Sequence, residues 1–131
     1  MSKQKTKKSK KKSNLVITSK GRAYITCTYN NTLISITNDK GDVVSWANPG
    51  VVGFSGARRS TPYAASLAAE VAAKKALEKG LNTVEIITKG PGSSKISAIK
   101  ALKSAGLKIV SIKDVTPIPH NGCRAKKKRR V

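Results

Sequence analysis

The chain has 131 residues and carries 27 Lys and Arg against 6 Asp and Glu, which gives a formal net charge of +21. That length suits one compact domain, and the charge lies far beyond what solubility asks of such a domain. No apolar run approaches the roughly 20 residues that span a bilayer, and no Lys-rich stretch has the apolar side of a membrane-surface helix, so the composition disfavours a membrane partner and favours a nucleic acid.

Both ends of the chain are strongly basic. Residues 1–14 hold seven Lys and no acid, and residues 120–131 hold six Lys and Arg and no acid. Like charges repel and keep such segments extended in isolation. We therefore expect a disordered basic N-terminal tail at 1–14, a single α/β domain at 15–119 and a basic C-terminal extension at 120–131.

The first part of the central region predicts a β-meander. Apolar and β-branched residues alternate at 22–29 and again at 33–37, and a turn-forming asparagine pair separates the two stretches. Residues 38–42 supply hairpin turn chemistry, and Val43, Val44 and Trp46 follow in a third short strand.

A predicted loop at 48–59, rich in turn residues, leads into the first helix. Thr61 followed by Pro62 is a good helix start, and we predict a helix from Pro62 to about Lys79. Five alanines share one face of this helix, which predicts close packing on a sheet. These residues are Ala65, Ala68, Ala69, Ala72 and Ala76.

Three further elements complete the pattern. We predict a strand at 83–88, a second helix from about Ser94 to Ala105 closed by Gly106, and a fifth strand at 107–112. The order βββαβαβ predicts an α/β fold with a five-stranded mixed sheet and two helices.

The glycine-rich segment 89–95 joins the fourth strand to the second helix. Unpaired N–H groups and a partial positive charge at a helix N-terminus favour an anion. Glycines let a phosphate approach the backbone, serines donate hydrogen bonds and lysines add charge, so we interpret the segment as a phosphate cradle of Lys89, Gly90, Gly92, Ser93, Ser94 and Lys95. It lacks the spacing of a nucleotide-hydrolysing P-loop. The alternative is an ordinary strand-to-helix turn with a serine cap.

Two other polar pairs are candidate contacts with RNA. Arg58-Arg59 can grip adjacent phosphates or stack on an unpaired base, which lysine does less well. Asn30-Asn31 can hydrogen-bond to ribose or base edges. The alternatives are a solvated arginine pair and a plain turn.

The inventory of chemical groups argues against catalysis. The chain has one His, and its six acids are scattered without a close pair of carboxylates, so we predict no enzyme activity, no cofactor and no small-molecule substrate. His120 and Cys123 offer two metal ligands where a structural zinc site needs four, and no metal is expected. The two cysteines are expected to be reduced.

The dipeptide Asn121-Gly122 has chemistry of its own. Glycine gives no steric shield, so its amide nitrogen can attack the Asn121 side chain and form a succinimide, which opens to an isoaspartyl linkage. We treat Asn121 as a candidate isoaspartate site.

Several segments together are similar to one protein family. They are Tyr-Asn-Asn-Thr at 29–32, Gly-Phe-Ser-Gly-Ala-Arg-Arg-Ser-Thr-Pro-Tyr-Ala-Ala at 53–65, Lys-Gly-Pro-Gly at 89–92 and Asp-Val-Thr-Pro-Ile-Pro-His-Asn-Gly-Cys-Arg at 114–124. From Arg22 to Val131 the chain resembles protein eleven of the small ribosomal subunit, in its bacterial or organellar form.

The resemblance implies a ribonuclease-H-like α/β fold without nuclease activity. It implies a ribosomal protein on the platform of the small subunit, in the cytoplasm of a bacterium or in an organelle. There it would bind 16S-type rRNA beside small-subunit proteins seven and eighteen, close to the path of exiting mRNA.

The same resemblance assigns rRNA contacts to Arg58, Arg59, the loop at 89–95 and the C-terminal extension. In the extension these are His120, Asn121, Arg124, Lys126, Lys127, Lys128, Arg129 and Arg130. Leu67 and Val71, toward the charged side of the first helix, are candidates for contacts with neighbouring proteins.

A DNA-compacting protein is the alternative, since it would share the charge excess. Such a protein would be expected to present a basic helix or a β-ribbon arm to a groove. Here the long helix is alanine-faced and carries mixed charge.

Overall fold

The computed structural model describes residues 19–128 and begins with the expected β-meander. Strands β1 (Lys20–Cys27), β2 (Thr32–Asn38) and β3 (Val43–Ala47) pair in sequence as antiparallel neighbours. The Asn38 side-chain oxygen accepts hydrogen bonds from the amides of Lys40 and Asp42, each at 3.0 Å, and closes the β2–β3 hairpin. Gly41 supplies the positive φ of 92° in this turn.

The remaining elements alternate between helix and strand. They are a short 3-10 helix (Gly56–Ser60), α1 (Pro62–Glu78), β4 (Thr83–Lys89), α2 (Ser94–Ser104) and β5 (Lys108–Asp114). The five strands and two α-helices confirm the predicted order. The 3-10 helix replaces part of the predicted loop. It is too short to produce a periodic sequence pattern, so the sequence did not predict it.

Several strand boundaries differ from the predictions by one or two residues, and the carboxyl ends of β1 and β5 have a visible cause. We predicted the first strand at 22–29, but β1 ends at Cys27 because the Thr28 amide donates to the Asn31 carbonyl at 2.8 Å and turns the chain. We predicted the last strand at 107–112, but β5 continues to Asp114, which lies opposite Thr88 of β4.

The sheet has the order β3-β2-β1-β4-β5. Strand β1 lies at the centre, antiparallel to β2 and parallel to β4, and β4 is parallel to β5. This is the expected five-stranded mixed sheet of an α/β fold. Each parallel connection carries one helix across the sheet.

Both helices pack on one face of the sheet and form the core with it. The alanine side of α1 is fully buried, and the small side chains let the Ser45 hydroxyl of β3 donate to the Ala72 carbonyl at 2.9 Å. Neither helix in the described part of the chain is long and apolar enough to cross a membrane. Val71 packs partly against the core and is partly exposed, and its suggested role in protein contacts stays a prediction.

Candidate nucleic-acid interface

The topology brings one end of four strands together. Strands β1, β3, β4 and β5 run in the same direction, so their carboxyl ends share one edge of the sheet, from which both helices begin. In open α/β sheets this edge is the usual place for a ligand. We call it the loop end, formed by the turn at 28–31, the 3-10 helix Gly56–Ser60, the loop at 90–93 and residues 115–116.

Hydrogen bonds and close packing join these four segments. The Ser94 hydroxyl donates to the Ser60 carbonyl at 3.3 Å, which ties the start of α2 to the 3-10 helix. The Gly90 amide donates to the Thr116 hydroxyl oxygen at 3.1 Å. The segments are far apart in sequence, and the fold makes them one surface.

The glycines of the loop at 90–93 have a packing role. A Cβ on Gly90 would overlap the Cys27 carbonyl oxygen, and one on Gly92 would overlap the Cys27 thiol and lie 2.9 Å from the Thr28 carbonyl oxygen. Only glycine lets the loop rest so closely on the end of β1. The Gly90 amide, which the cradle hypothesis offered to a phosphate, is already donated to Thr116.

The two serines that follow differ in accessibility. Ser94 is buried and bonded to Ser60, so its hydroxyl stabilises the fold. Ser93 is exposed at the N-cap of α2, and its side chain makes no cap hydrogen bond. Ser93 thus occupies the cap position of α2 without capping the helix through its side chain, and the phosphate cradle stays a prediction. The part of the cradle that can reach an anion consists of Lys89, Ser93 and the partly exposed Lys95.

Asp114 and Thr116 hold the end of β5 against this loop. The Thr116 hydroxyl and amide both donate to Oδ1 of Asp114, the amide at 3.0 Å, and Lys95 Nζ lies 3.3 Å from Oδ2. These hydrogen bonds, the hydroxyl foremost, lower the pKa of Asp114 from 3.8 to about 2, and Lys95 acts in the same direction. The carboxylate is thus a fixed anion inside a basic surface.

Arg58 and Arg59 lie exposed on the 3-10 helix, immediately before α1. Arg59 Nε donates to the Gly56 carbonyl at 3.3 Å, and the Thr61 hydroxyl donates to the Arg58 carbonyl at 2.8 Å. The backbone carrying the two guanidinium groups is therefore held in place while both side chains reach solvent.

The asparagine pair divides its roles. The Asn31 side-chain oxygen accepts a hydrogen bond from the Thr32 amide at 2.9 Å and shapes the turn. Asn30 is exposed at the tip. Sequence reasoning overlooked two exposed aromatics, Tyr29 in this turn at 78% exposure and Tyr63 at the start of α1 at 67%. An aromatic residue inside a turn motif was the available signal.

The C-terminal extension follows directly from the loop end. Every described residue from 117 to 128 is exposed, including His120, Arg124, Lys126, Lys127 and Lys128. Asn121 has a φ of 65° in the left-handed region. Arg129, Arg130 and the expected tail at 1–14 lie outside the described residues. Between 19 and 128 no three His, Cys, Asp or Glu residues come together as a metal site.

A family comparison matches this architecture to known proteins. The sequence model of the family described as Ribosomal protein S11 matches residues 21–130, which include all of the sheet except Lys20, both helices and nearly all of the extension. A match over most of the chain confirms the resemblance and the prediction that the protein is not an enzyme. The chain belongs to the Ribosomal protein S11 family and is a structural, rRNA-binding protein of the small ribosomal subunit.

Proposed function

We propose that the protein binds rRNA through its loop end and C-terminal extension, on the platform of the small subunit and close to the path of exiting mRNA. The observation that carries the proposal is the convergence of the candidate segments on one end of the sheet. The loop end recognises the shape of the folded RNA and so positions the protein on it. The extension, and with it the basic segment at 1–14, neutralises phosphates and displaces condensed counterions.

The loop end offers two kinds of contact. Arg58 and Arg59 are exposed on a fixed backbone and suit phosphates or the plane of an unpaired base. Lys89 and Ser93 lie exposed beside the N-terminus of α2, where the helix dipole adds to their attraction for phosphate. These four side chains form the positioning part of the interface.

Tyr29 and Tyr63 add a capacity for stacking. Both rings are mostly exposed, and the Tyr63 ring meets Phe54 edge to face with centroids 6.0 Å apart. Exposed aromatic rings stack on unpaired RNA bases at about 1–3 kcal/mol per base. We include both tyrosines in the proposed interface.

The proposed surroundings follow from family membership and the resemblance. We place small-subunit proteins seven and eighteen among the neighbours, in the ribosome of a bacterium or an organelle. Leu67, half-buried on α1, is retained as a candidate contact with a neighbouring protein.

The two cysteines allow a direct test of location. Cys123 is exposed within the extension and Cys27 is fully buried, so an iron chelate attaches to Cys123 of the folded protein alone. In reconstituted subunits, hydroxyl radicals from this iron should cleave platform rRNA and mRNA near its exit. Cys123→Ser is the control and should give no cleavage. Cleavage confined to rRNA outside the platform would contradict the proposal.

A further inference from the structure

We propose that Thr116 and Asp114 are positioning residues for RNA binding: they fix the direction in which the C-terminal extension leaves the domain. The inference rests on the proposed function, since it assumes that the extension binds RNA. It assigns a role to two side chains that do not themselves attract phosphate.

A continuous set of hydrogen bonds carries the inference. The Gly90 amide donates to the Thr116 hydroxyl oxygen at 3.1 Å, and the Thr116 hydroxyl donates onward to Asp114. Asp114 in turn holds Lys95 at 3.3 Å, and the Val115 amide donates to the Thr88 carbonyl at 2.9 Å. The last anchored residue of the domain is thus joined to the loop that we place on RNA.

The residues directly after Thr116 are stiff, so they keep the direction in which the extension leaves the domain. Pro117 and Pro119 each fix φ, and a residue that precedes proline is kept extended. The segment from 116 to 119 is therefore a stiff spacer with a defined start. A flexible joint at Thr116 would spread the cations of the extension over a larger volume and lower their effective concentration at the RNA.

The presence of a carboxylate here supports the same role. Asp114 is one of 6 acids in a chain of net charge +21, and at an RNA-facing end its charge repels phosphate. Its two oxygens are directed to Thr116 and to Lys95. Holding the joint gives a physical reason for an acid at this position.

Thr116→Val tests the inference, because valine keeps the shape of threonine and removes the hydroxyl. Binding to a small-subunit rRNA transcript is measured in the natural chain and in a full-length chain with Arg124, Lys126, Lys127 and Lys128 changed to Gln. We expect Thr116→Val to weaken binding about fivefold in the natural chain, because the hydroxyl's hydrogen bonds with Gly90 and Asp114 are both lost. In the neutralised chain we expect Thr116→Val to change binding by less than about twofold, because few cations then remain in the extension to be positioned.

Thr83→Val is the matched control. Thr83 begins β4 at the opposite end of the sheet, where its hydroxyl donates to the neighbouring Asn82 side chain at 3.4 Å, so binding should not change. Thermal unfolding establishes that each variant is folded.

The possible results separate the inference from the proposed function. Equal weakening by Thr116→Val in both backgrounds would overturn the inference, since the hydroxyl would then act through the loop alone. The inference would also be overturned if Thr116→Val did not weaken binding in the natural chain while neutralising the extension did. The proposed function would then still stand. If neutralising the extension had no effect, the proposed role of the extension and the inference would fall together.

Discussion

Gly92 lies directly against the thiol of Cys27, so closely that a Cβ on Gly92 would overlap the sulfur and stand 3.2 Å from the Cys27 Cβ. Because Cys27 is fully buried, the loop cannot move away without disturbing the end of β1. Gly92→Ala should therefore lower the free energy of unfolding by about 1–3 kcal/mol. Urea unfolding of the free protein measures this change.

Two further variants make this prediction specific. Gly122→Ala places its Cβ 3.6 Å from the nearest atom, on Pro119, which is an ordinary contact and should change stability by less than about 0.5 kcal/mol. Cys27→Ala removes the sulfur, so Gly92→Ala should be less harmful in that background. Equal stability of Gly92→Ala and the natural chain would show that the loop does not rest on β1 as described.

The acid Asp114 predicts a dependence of stability on pH. Its pKa is about 2 in the folded protein against an ordinary 3.8, so between these values the unfolded chain binds a proton that the folded chain does not. The stabilisation is complete above pH 3.8 and is lost as the pH falls toward about 2. The natural chain should exceed Asp114→Asn by a constant free energy of unfolding near neutral pH and by less in acid. A difference that stays constant down to the acid limit would contradict the assigned hydrogen bonds.

The arginine pair is expected to act through its shape as well as its charge. Changing Arg58 and Arg59 to lysine keeps both charges but loses planar stacking and paired hydrogen bonds, and should weaken rRNA binding about fivefold or more. The dependence on salt should stay the same, since the number of cations is unchanged. Arg22→Lys, on the sheet face opposite the helices, is the control and should bind like the natural chain. Unchanged affinity of the double variant would show that the arginine pair acts through its charge alone.

Asn121 is expected to age into isoaspartate. The residue is exposed, has a φ of 65° and precedes glycine, so nothing in the described structure shields its side chain from the following amide. Peptide mapping of incubated protein should find isoaspartate at this position, and Gly122→Ala should slow its formation. Recovery of unmodified Asn121 alone would dispose of the idea.

Local sequence patterns predicted most of the fold. Alternation marked the meander, and the alanine face of α1 correctly indicated close packing on the sheet. Thr61 caps α1 as expected, its hydroxyl oxygen accepting from the Ala64 amide at 3.3 Å. These features depend on neighbours within a few residues, which a sequence pattern can report.

The site was predicted less completely, because its contacts join distant segments. The sequence presents Gly90 and Gly92 as an opening for phosphate, while the structure packs them on Cys27. The sequence suggests that the Ser94 hydroxyl donates a hydrogen bond to phosphate, whereas in the structure it donates to the carbonyl of Ser60, 34 positions earlier. Composition could identify which loops matter, but only the sheet topology assigns each residue in them to packing or to exposure.

The dependence of rRNA affinity on salt tests the central claim most directly. If the loop end and the extension together neutralise about six or more phosphates, affinity for a small-subunit rRNA transcript should fall roughly a thousandfold or more between about 50 and about 200 mM salt. Removing residues 120–131 should make the decline distinctly less steep, because fewer counterions are then released. An affinity that is nearly flat across this range, or a slope unchanged by removing the extension, would contradict the account.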